Sequence, residues 1–203
     1  VVNTTSSGTS QVTTLGVSTY LDFSAGPDKS GSPAKKVIYI RSVDQFSLSS
    51  IHSIATNAPG STWYVLGEPN VVSLDPSDIV VALHDIYETI RNADPTAKIT
   101  SPSLLNFDFT CILCGGYQSG HSWADDFVTT YSNLYGTPPP VDYWAIDIYP
   151  IIWDSNMFPT VRSDIVIDQV VQLRQWLNSM PTEASKPIII TEVGLHWGFS
   201  DYT

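Results

Sequence analysis

The feature that most constrains the fold is the alternation of short apolar segments with amphipathic ones along the chain. Six apolar segments predict strands, at residues 15–23, 36–43, 63–66, 98–105, 141–149 and 188–193. Between them, apolar residues at helical spacing predict helices over residues 47–55, 76–92, 123–135 and 165–177. Several strands are apolar on both faces, as is typical of a parallel sheet covered by helices. The sequence therefore predicts an α/β fold.

Two α/β arrangements fit this pattern, a (β/α)8 TIM-type barrel and an open doubly wound sheet. We expect the barrel, over residues 15–203, preceded by a Ser/Thr-rich arm or linker over residues 1–14. Only six strands are readable, and no eighth strand is visible before the chain stops eleven residues after Glu192. We therefore expect either a fragment of a longer chain or a truncated or reduced barrel.

Polar side chains follow four of the predicted strands at their carboxyl ends. These side chains are Arg41, Glu68 with Asn70, Asp147 with Tyr149, and Glu192. In a parallel barrel these strand ends meet at one rim, so Glu68 and Glu192 would face each other across a cleft. Two such carboxylates suit glycoside hydrolysis, in which one protonates the leaving oxygen and the other attacks as the ionised form. Aromatic residues near the rim that could stack on sugar faces are Trp63, Tyr64, Trp144, Trp153 and Trp197.

Two of these strand ends resemble catalytic segments of a known family. Residues 66–70, Leu-Gly-Glu-Pro-Asn, resemble the Asn-Glu-Pro segment of the large (β/α)8 clan of retaining glycoside hydrolases. Residues 190–194, Ile-Thr-Glu-Val-Gly, resemble the nucleophile strand of the same clan. The resemblance implies that Glu68 is the acid/base and that Glu192 is the nucleophile. Glu192 follows Glu68 by three predicted strands, as the clan requires.

The resemblance extends to two orienting residues. Residues 147–150, Asp-Ile-Tyr-Pro, resemble the sixth-strand segment in which a tyrosine often holds the nucleophile, which implies that role for Tyr149. The clan often has an arginine near the position of Arg41 that contacts the nucleophile. Asp147 stands where the clan more often has histidine.

Two departures from the clan concern sugar recognition. The clan has asparagine before the acid/base glutamate, where it contacts the sugar 2-hydroxyl, and this chain has Gly67 there. Either that contact is lost, or Asn70 or another residue replaces it. The eighth strand, which commonly supplies an aromatic platform under the sugar, is not visible, and Trp197 is the candidate to stand in.

Composition and motifs exclude several other classes. The net charge is -11 with only 9 lysines and arginines, so nucleic acid and anionic membranes are poor partners, and a neutral or cationic substrate is favoured. No apolar run approaches the ~18 residues that a membrane span needs. The chain has no G-x-S-x-G elbow, dinucleotide fingerprint or phosphate loop, and its histidines have no metal-ligand spacing. We expect neither a metal nor a cofactor.

The two cysteines form a single C-x-x-C at Cys111 and Cys114, which cannot make a four-thiolate zinc site. We expect either a local disulfide or two free thiols in a loop. The low lysine content, the abundant Ser, Thr and Tyr and the acidic balance favour an extracellular or cell-surface protein. Val1 is not a natural start residue, which fits a leader that has been removed.

The sequence thus predicts a retaining glycoside hydrolase that acts on an oligo- or polysaccharide by double displacement. Two alternatives stay open. One is an inverting hydrolase on the same two carboxylates. The other is a non-catalytic carbohydrate-binding or structural extracellular protein built on a glycosidase-like barrel.

Overall fold

The computed structural model describes residues 8–23, 34–72, 74–108, 118–152 and 160–194. Its helices are α1 Gly8–Leu15, α2 Leu48–Asn57, α3 Pro76–Ala93, α4 Gly120–Tyr135 and α5 Asp164–Asn178. Its strands are β1 Thr19–Tyr20, β2 Lys35–Lys36, β3 Ile38–Ile40, β4 Thr62–Val65, β5 Lys98–Ile99, β6 Leu104–Leu105, β7 Trp144–Ile148, β8 Ile151–Ile152, β9 Thr160–Val161 and β10 Ile188–Val193.

The strands pair in parallel and in chain order. The pairs are β1–β2, then β3–β4–β5, then β6–β7–β10, and an antiparallel hairpin joins β8 to β9. Isolated parallel bridges, Gly67 to Ser103 and Thr100 to Tyr143, connect the two three-stranded sheets. The Val37 N–H between β2 and β3 donates to the Tyr20 carbonyl, so the first pair continues into the second sheet. The predicted α/β fold is confirmed, and a complete eight-stranded barrel is not what the described residues form.

The helices cover the sheet with apolar faces that the sequence predicted. In α3 the Asp75 side chain accepts a hydrogen bond from the Ser77 N–H, and Pro76 occupies the first turn, where no intrahelical donor is needed. α4 ends at Gly136, whose φ of 71° is accessible to glycine without a Cβ clash. The α3 residues buried in the main core are Pro76, Ile79, Val80, Leu83, Ile86, Tyr87 and Ile90.

The structure corrects four local predictions. The segment 98–105 is two short strands, because Pro102 between them has no N–H for the ladder. The strand predicted at 15–23 shortens to β1. Part of the expected arm at 1–14 is helix α1, whose Val12 is buried with Tyr20 and Ala34. The β8–β9 hairpin was not predicted.

The two ends of the strand order, β1 and β10, line a common cavity. Its lining includes Tyr20 on β1, Ile189 on β10, Leu21 directly after β1, and Val37 between β2 and β3. β10 is only partly buried, and Ile190 near its middle is 43% exposed. In the described part of the chain β10 pairs only with β7, so its other edge has no neighbouring strand. No helix in these residues is both long and apolar enough to cross a bilayer.

Candidate active site

The turn after β4 places Glu68 in a cleft through an unusual backbone. Leu66 and Glu68 both have positive φ, at 65° and 51°, on either side of Gly67. Such a conformation costs a non-glycine residue about 1–3 kcal/mol and persists only where neighbours hold it. Here the Leu66 N–H donates to the Ile40 carbonyl and the Glu68 N–H donates to the Ser103 carbonyl, each at 2.8 Å. Flanking strands thus fix the direction of the Glu68 side chain.

Gly67 is required by two tyrosines, Tyr64, which was expected as an aromatic that stacks on sugar, and Tyr39, which was not predicted as a site residue. A Cβ on Gly67 would lie 2.9 Å from Tyr64 Oη and 3.2 Å from Tyr39 Oη. The Tyr64 ring is fully buried, and Tyr39 packs on it with ring centroids 4.8 Å apart. Two phenol hydroxyls therefore lie in the space that a side chain at position 67 would enter.

A β-bulge aims Glu192 at the same cleft. Between β10 and β7, Ile190 pairs with Ile146 but Glu192 pairs with Asp147, so Thr191 is an extra residue on β10. A bulge of this kind redirects the side chains that follow it and is common beside active sites. It turns Glu192 toward Glu68.

Tyr149 holds Glu192, and Asn106 in turn holds Tyr149. Tyr149 Oη donates to Glu192 Oε2 at 2.8 Å. Asn106 Nδ2 donates to the Tyr149 carbonyl at 3.2 Å, and the Tyr149 N–H donates to Asn106 Oδ1 at 3.1 Å. Asn106 has a φ of 48°, a left-handed conformation that asparagine tolerates better than most residues. The contact of Tyr149 with Glu192 is the one that the resemblance implies, whereas the contact of Asn106 with Tyr149 was missed, because nothing in the sequence links residues so far apart.

Asp147 lies close to both glutamates and is fully buried. Its Oδ2 accepts a hydrogen bond from Tyr64 Oη at 3.0 Å, and its Oδ1 accepts one from Thr191 Oγ1 at 2.5 Å. Ser103 Oγ lies 2.8 Å from Thr191 Oγ1, so the network continues to the segment between β5 and β6. Asp147 is thus an internal carboxyl with hydroxyl partners on both oxygens.

The three carboxyl groups lie close together. One carboxylate oxygen from each of Glu68, Asp147 and Glu192 lies within 4.8 Å of the others. Burial raises the pKa of Glu68 to about 7, with smaller contributions from the charges of Asp147 and then Glu192. Burial also raises the pKa of Asp147 to about 6, although hydrogen bonds from Thr191, Ser103 and Tyr64 oppose it. At neutral pH this site therefore holds at least one carboxyl proton for part of the time.

The same three carboxyl groups are the donor set that a metal ion would use among the described residues. An all-oxygen set suits a hard cation such as Mg²⁺ or Ca²⁺. However, metal ligands must be deprotonated, and burial favours the protonated forms of Glu68 and Asp147. Binding of a cation here would therefore compete with protonation of Glu68 and Asp147.

The glutamates line an open cleft of about 350 Å³. Arg41 is exposed at its rim, and among the ion pairs of the described residues none joins Arg41 to Glu192. The remaining lining residues are Tyr39, Ser42, Tyr64, Leu66, Gly67, Val72 and Leu74. The described wall of this cleft carries tyrosine rings and aliphatic side chains beside the acidic pair.

Asn70 does not occupy the place expected for a sugar contact. Its Nδ2 donates to the carbonyls of Leu105 and Gln118, its Oδ1 accepts from the Leu105 N–H, and its side chain is fully buried. The amide is fully engaged in joining two loops, so Asn70 cannot replace the asparagine missing at position 67.

The other sequence predictions have mixed outcomes. Trp63 and Trp144 are core residues rather than sugar platforms, since they are 0% and 1% exposed. The Trp144 indole N–H donates to the buried Glu183 carboxylate. Trp197, Trp153, Cys111 and Cys114 lie outside the described residues.

Comparison with known proteins finds similarity in structure only. No protein-family model and no curated protein matches the chain. A GH128 (subgroup II) endo-β-1,3-glucanase from Sorangium cellulosum superposes with a TM-score of 0.63 at 17% identity, over 98% of this chain and 75% of that one. A GH128 (subgroup I) endo-β-1,3-glucanase from Amycolatopsis mediterranei, in complex with laminarihexaose, gives 0.61 at 16% identity, over 98% and 71%.

A fungal structure shows the same likeness. The GH128 (subgroup IV) endo-β-1,3-glucanase from Lentinula edodes gives a TM-score of 0.57 at 15% identity, over 86% of this chain and 60% of that one. At these identities the comparisons establish the fold, which is the α/β fold of GH128 glucanases. The likeness to a glycoside hydrolase fold is confirmed at that level.

Proposed function

We propose that this chain is a retaining glycoside hydrolase that cleaves β-1,3-glucan, with Glu68 as acid/base and Glu192 as nucleophile. One observation carries the proposal. Glu68 and Glu192 follow or end parallel strands, and one carboxylate oxygen of Glu68 lies within 4.8 Å of one of Glu192. The proposed substrate class rests on the endo-β-1,3-glucanases that share the fold, one of which, from Amycolatopsis mediterranei, is described in complexes with laminarihexaose and with laminaritriose.

In the first step, Glu192 attacks the anomeric carbon while Glu68 gives its proton to the leaving glycosidic oxygen. The bond from carbon to that oxygen breaks, and an ester between the sugar and Glu192 forms. Burial keeps the Glu68 pKa near 7, so the proton is available at neutral pH. The hydrogen bond from Tyr149 Oη fixes the Glu192 carboxylate for this attack.

In the second step, water attacks the anomeric carbon, the bond from that carbon to the Glu192 oxygen breaks, and Glu68 accepts the water proton. Glu192 leaves as a carboxylate, and both residues return to their starting states. Two attacks on opposite faces retain the anomeric configuration. Retaining enzymes have their carboxyl groups about 5–5.5 Å apart, whereas inverting enzymes need about 6.5–9.5 Å to fit a water. The short separation here supports retention over inversion.

The charge of the molecule also suits a neutral polymer. With a net charge of -11 and an acidic cleft, the protein would repel anionic polysaccharides but not a neutral glucan. Arg41 at the rim would then contact sugar hydroxyls or the charge that develops on the leaving group, rather than pair with a resting carboxylate.

The direct test is incubation of the purified chain with laminarin, with reducing ends and product anomers followed by NMR. We expect products whose new reducing ends are β-anomers at early times, loss of turnover in Glu192→Gln and strong slowing in Glu68→Gln. Glu88→Gln, on the exposed face of α3, is the matched control and should keep wild-type rates. Initial α-anomers would show an inverting enzyme.

The non-catalytic alternative predicts a different pattern in the same experiment. Gly67 leaves no side chain at a position next to the acid/base, and Asn70 is engaged elsewhere. A carbohydrate-binding protein would bind laminari-oligosaccharides in calorimetry and release no reducing ends. Normal rates in both glutamate variants would reject the assignment of these two residues.

A further inference from the structure

We propose that Asp147 is the residue that positions both catalytic glutamates, by anchoring the bulge that aims Glu192 and by placing a buried negative charge beside Glu68. This inference deepens the proposed function and rests on it for the roles of the two glutamates. From its place at a strand end, Asp147 is predicted only to bind or orient the substrate. Its full burial now makes direct contact with substrate a poor explanation.

Asp147 is hydrogen-bonded to two neighbouring elements of the site. Its two oxygens accept hydrogen bonds from hydroxyls on different strands, Tyr64 on β4 and Thr191 on β10. β7, which carries Asp147, lies beside β10 in the sheet. Buried carboxyl groups are costly unless they are hydrogen-bonded, so this arrangement is held in one geometry.

Asp147 also contacts the β-bulge on β10 through Thr191. Thr191 is the unpaired extra residue immediately before Glu192, and its hydroxyl bonds to Asp147 at 2.5 Å and lies 2.8 Å from Ser103 Oγ. These hydroxyl contacts tie the bulge to its neighbours at the point where it turns. Without the contact to Asp147, β10 could slip toward regular pairing, which would rotate Glu192 to the other face of the sheet.

The charge of Asp147 also affects the protonation of Glu68. The other charged and titratable groups around Glu68 are Tyr39 on β3, Arg41 after β3, Tyr64 on β4, Tyr149 after β7 and Glu192 on β10. Asp147 is the larger of the two charge contributions that raise the Glu68 pKa, after burial itself. Above pH about 6, where Asp147 is mostly ionised, its charge keeps the Glu68 proton bound to higher pH.

A purely structural role is the alternative to the positioning role. In that case Asp147 is a buried, hydrogen-bonded polar group that contributes only to stability. The two explanations differ in what Asp147→Asn does. Asparagine has nearly the same shape, can accept from Thr191 and can donate to Tyr64 Oη, but carries no charge. It therefore removes the charge while leaving the packing and most of the hydrogen bonds.

The test of the charge is the pH profile of kcat/KM on laminarin. In Asp147→Asn we expect the alkaline limb to move to lower pH, so that the ratio of rates at pH 8 and pH 5 falls below the wild-type ratio. The control is Asp94→Asn, which removes another buried carboxylate that accepts from Gly60 and Thr96 far from the cleft. We expect the control to lose stability and keep the wild-type profile.

The test of the positioning role uses Thr191. Thr191→Val keeps the shape and loses the hydroxyl, and we expect kcat to fall at least tenfold with little change in KM. Thr191→Ser restores the hydroxyl and should restore most of kcat. Equal loss in both variants, or a loss confined to thermal stability, would overturn the positioning role.

A readout independent of activity separates this inference from the proposed function. The carboxyl carbon of Glu68, followed by NMR in ¹³C-glutamate-labelled protein, should titrate at lower pH in Asp147→Asn than in wild type. If wild type releases no reducing ends but this shift is present, the proposed function fails and the electrostatic role of Asp147 stands. An unchanged Glu68 midpoint overturns that role whether or not the protein is an enzyme.

Discussion

The Tyr149 hydroxyl donates a hydrogen bond of 2.8 Å to Glu192, and this contact joins the end of β7 to the end of β10. We expect Tyr149→Phe to lower kcat/KM on laminarin by about 10- to 100-fold, because a hydrogen bond to a charged group contributes about 1.5–3 kcal/mol. Steady-state kinetics measure the effect. Tyr143→Phe, just before the opposite end of β7, is the matched control. If the two variants behave alike, Tyr149 does not orient the nucleophile.

The Glu68 pKa of about 7 predicts the alkaline limit of activity. A general acid works in its protonated form, so kcat/KM should be high below this pKa and fall as the pH rises through about 7. For an aryl glycoside whose leaving group needs no proton, glycosylation should lose this limb. An alkaline limb that stays in place in Glu68→Gln would assign the titration to another group.

The raised Glu68 pKa also has a consequence for stability. The ordinary pKa of 4.5 applies to the unfolded chain, so between about pH 4.5 and 7 the folded state binds more protons than the unfolded state. This contribution of Glu68 therefore falls as the pH rises through that window. We expect Glu68→Gln to have a higher Tm than wild type at pH 8 and a similar Tm at pH 4. Thermal unfolding of Glu88→Gln at both pH values gives the baseline.

Chelation tests whether the acidic cluster needs a cation. Because the chemistry requires only carboxyl groups and water, we expect laminarin hydrolysis to be unchanged after dialysis against EDTA. Loss of activity that Mg²⁺ or Ca²⁺ restores would mean that Glu68, Asp147 and Glu192 hold a metal, and would contradict the double-displacement proposal as written.

Much of the fold was predictable because its signals are local. The strand predicted at 188–193 has those bounds in the structure, and the helix predicted at 165–177 differs from α5 by one residue at each end. Runs of isoleucine and stripes of apolar residues are properties of single segments. The helix α1 was missed because its burial depends on Tyr20 and Ala34, which lie elsewhere in the chain.

The site was only partly predictable, because some of its contacts join residues that are far apart in the chain. Strand ends identified Glu68, Asp147, Tyr149 and Glu192, since any parallel sheet brings such ends together. The supporting contacts depend on register and on unpaired residues. A bulge at Thr191 cannot be read from β10 alone, because it is defined by the partner strand. Asn106 contacts Tyr149 across 43 positions, and a single sequence carries no record of that pairing.

The crowding at Gly67 gives the most direct test of how the site is built. Gly67→Ala would place a Cβ 2.9 Å from Tyr64 Oη, and Tyr64 cannot move freely because it is buried and bonded to Asp147. We expect a loss of about 1–3 kcal/mol in the free energy of unfolding, as for other overpacked sites. Denaturant unfolding measures this loss.

The double variant Gly67→Ala with Tyr64→Phe completes the cycle. Removing the Tyr64 hydroxyl frees the space that the new Cβ needs, so the double variant should be less destabilised than the sum of the two single variants. The Tyr39 hydroxyl, 3.2 Å from the same Cβ, limits how complete the recovery can be. Additive losses would mean that Gly67 is needed for the backbone of the turn rather than for the space beside Tyr64.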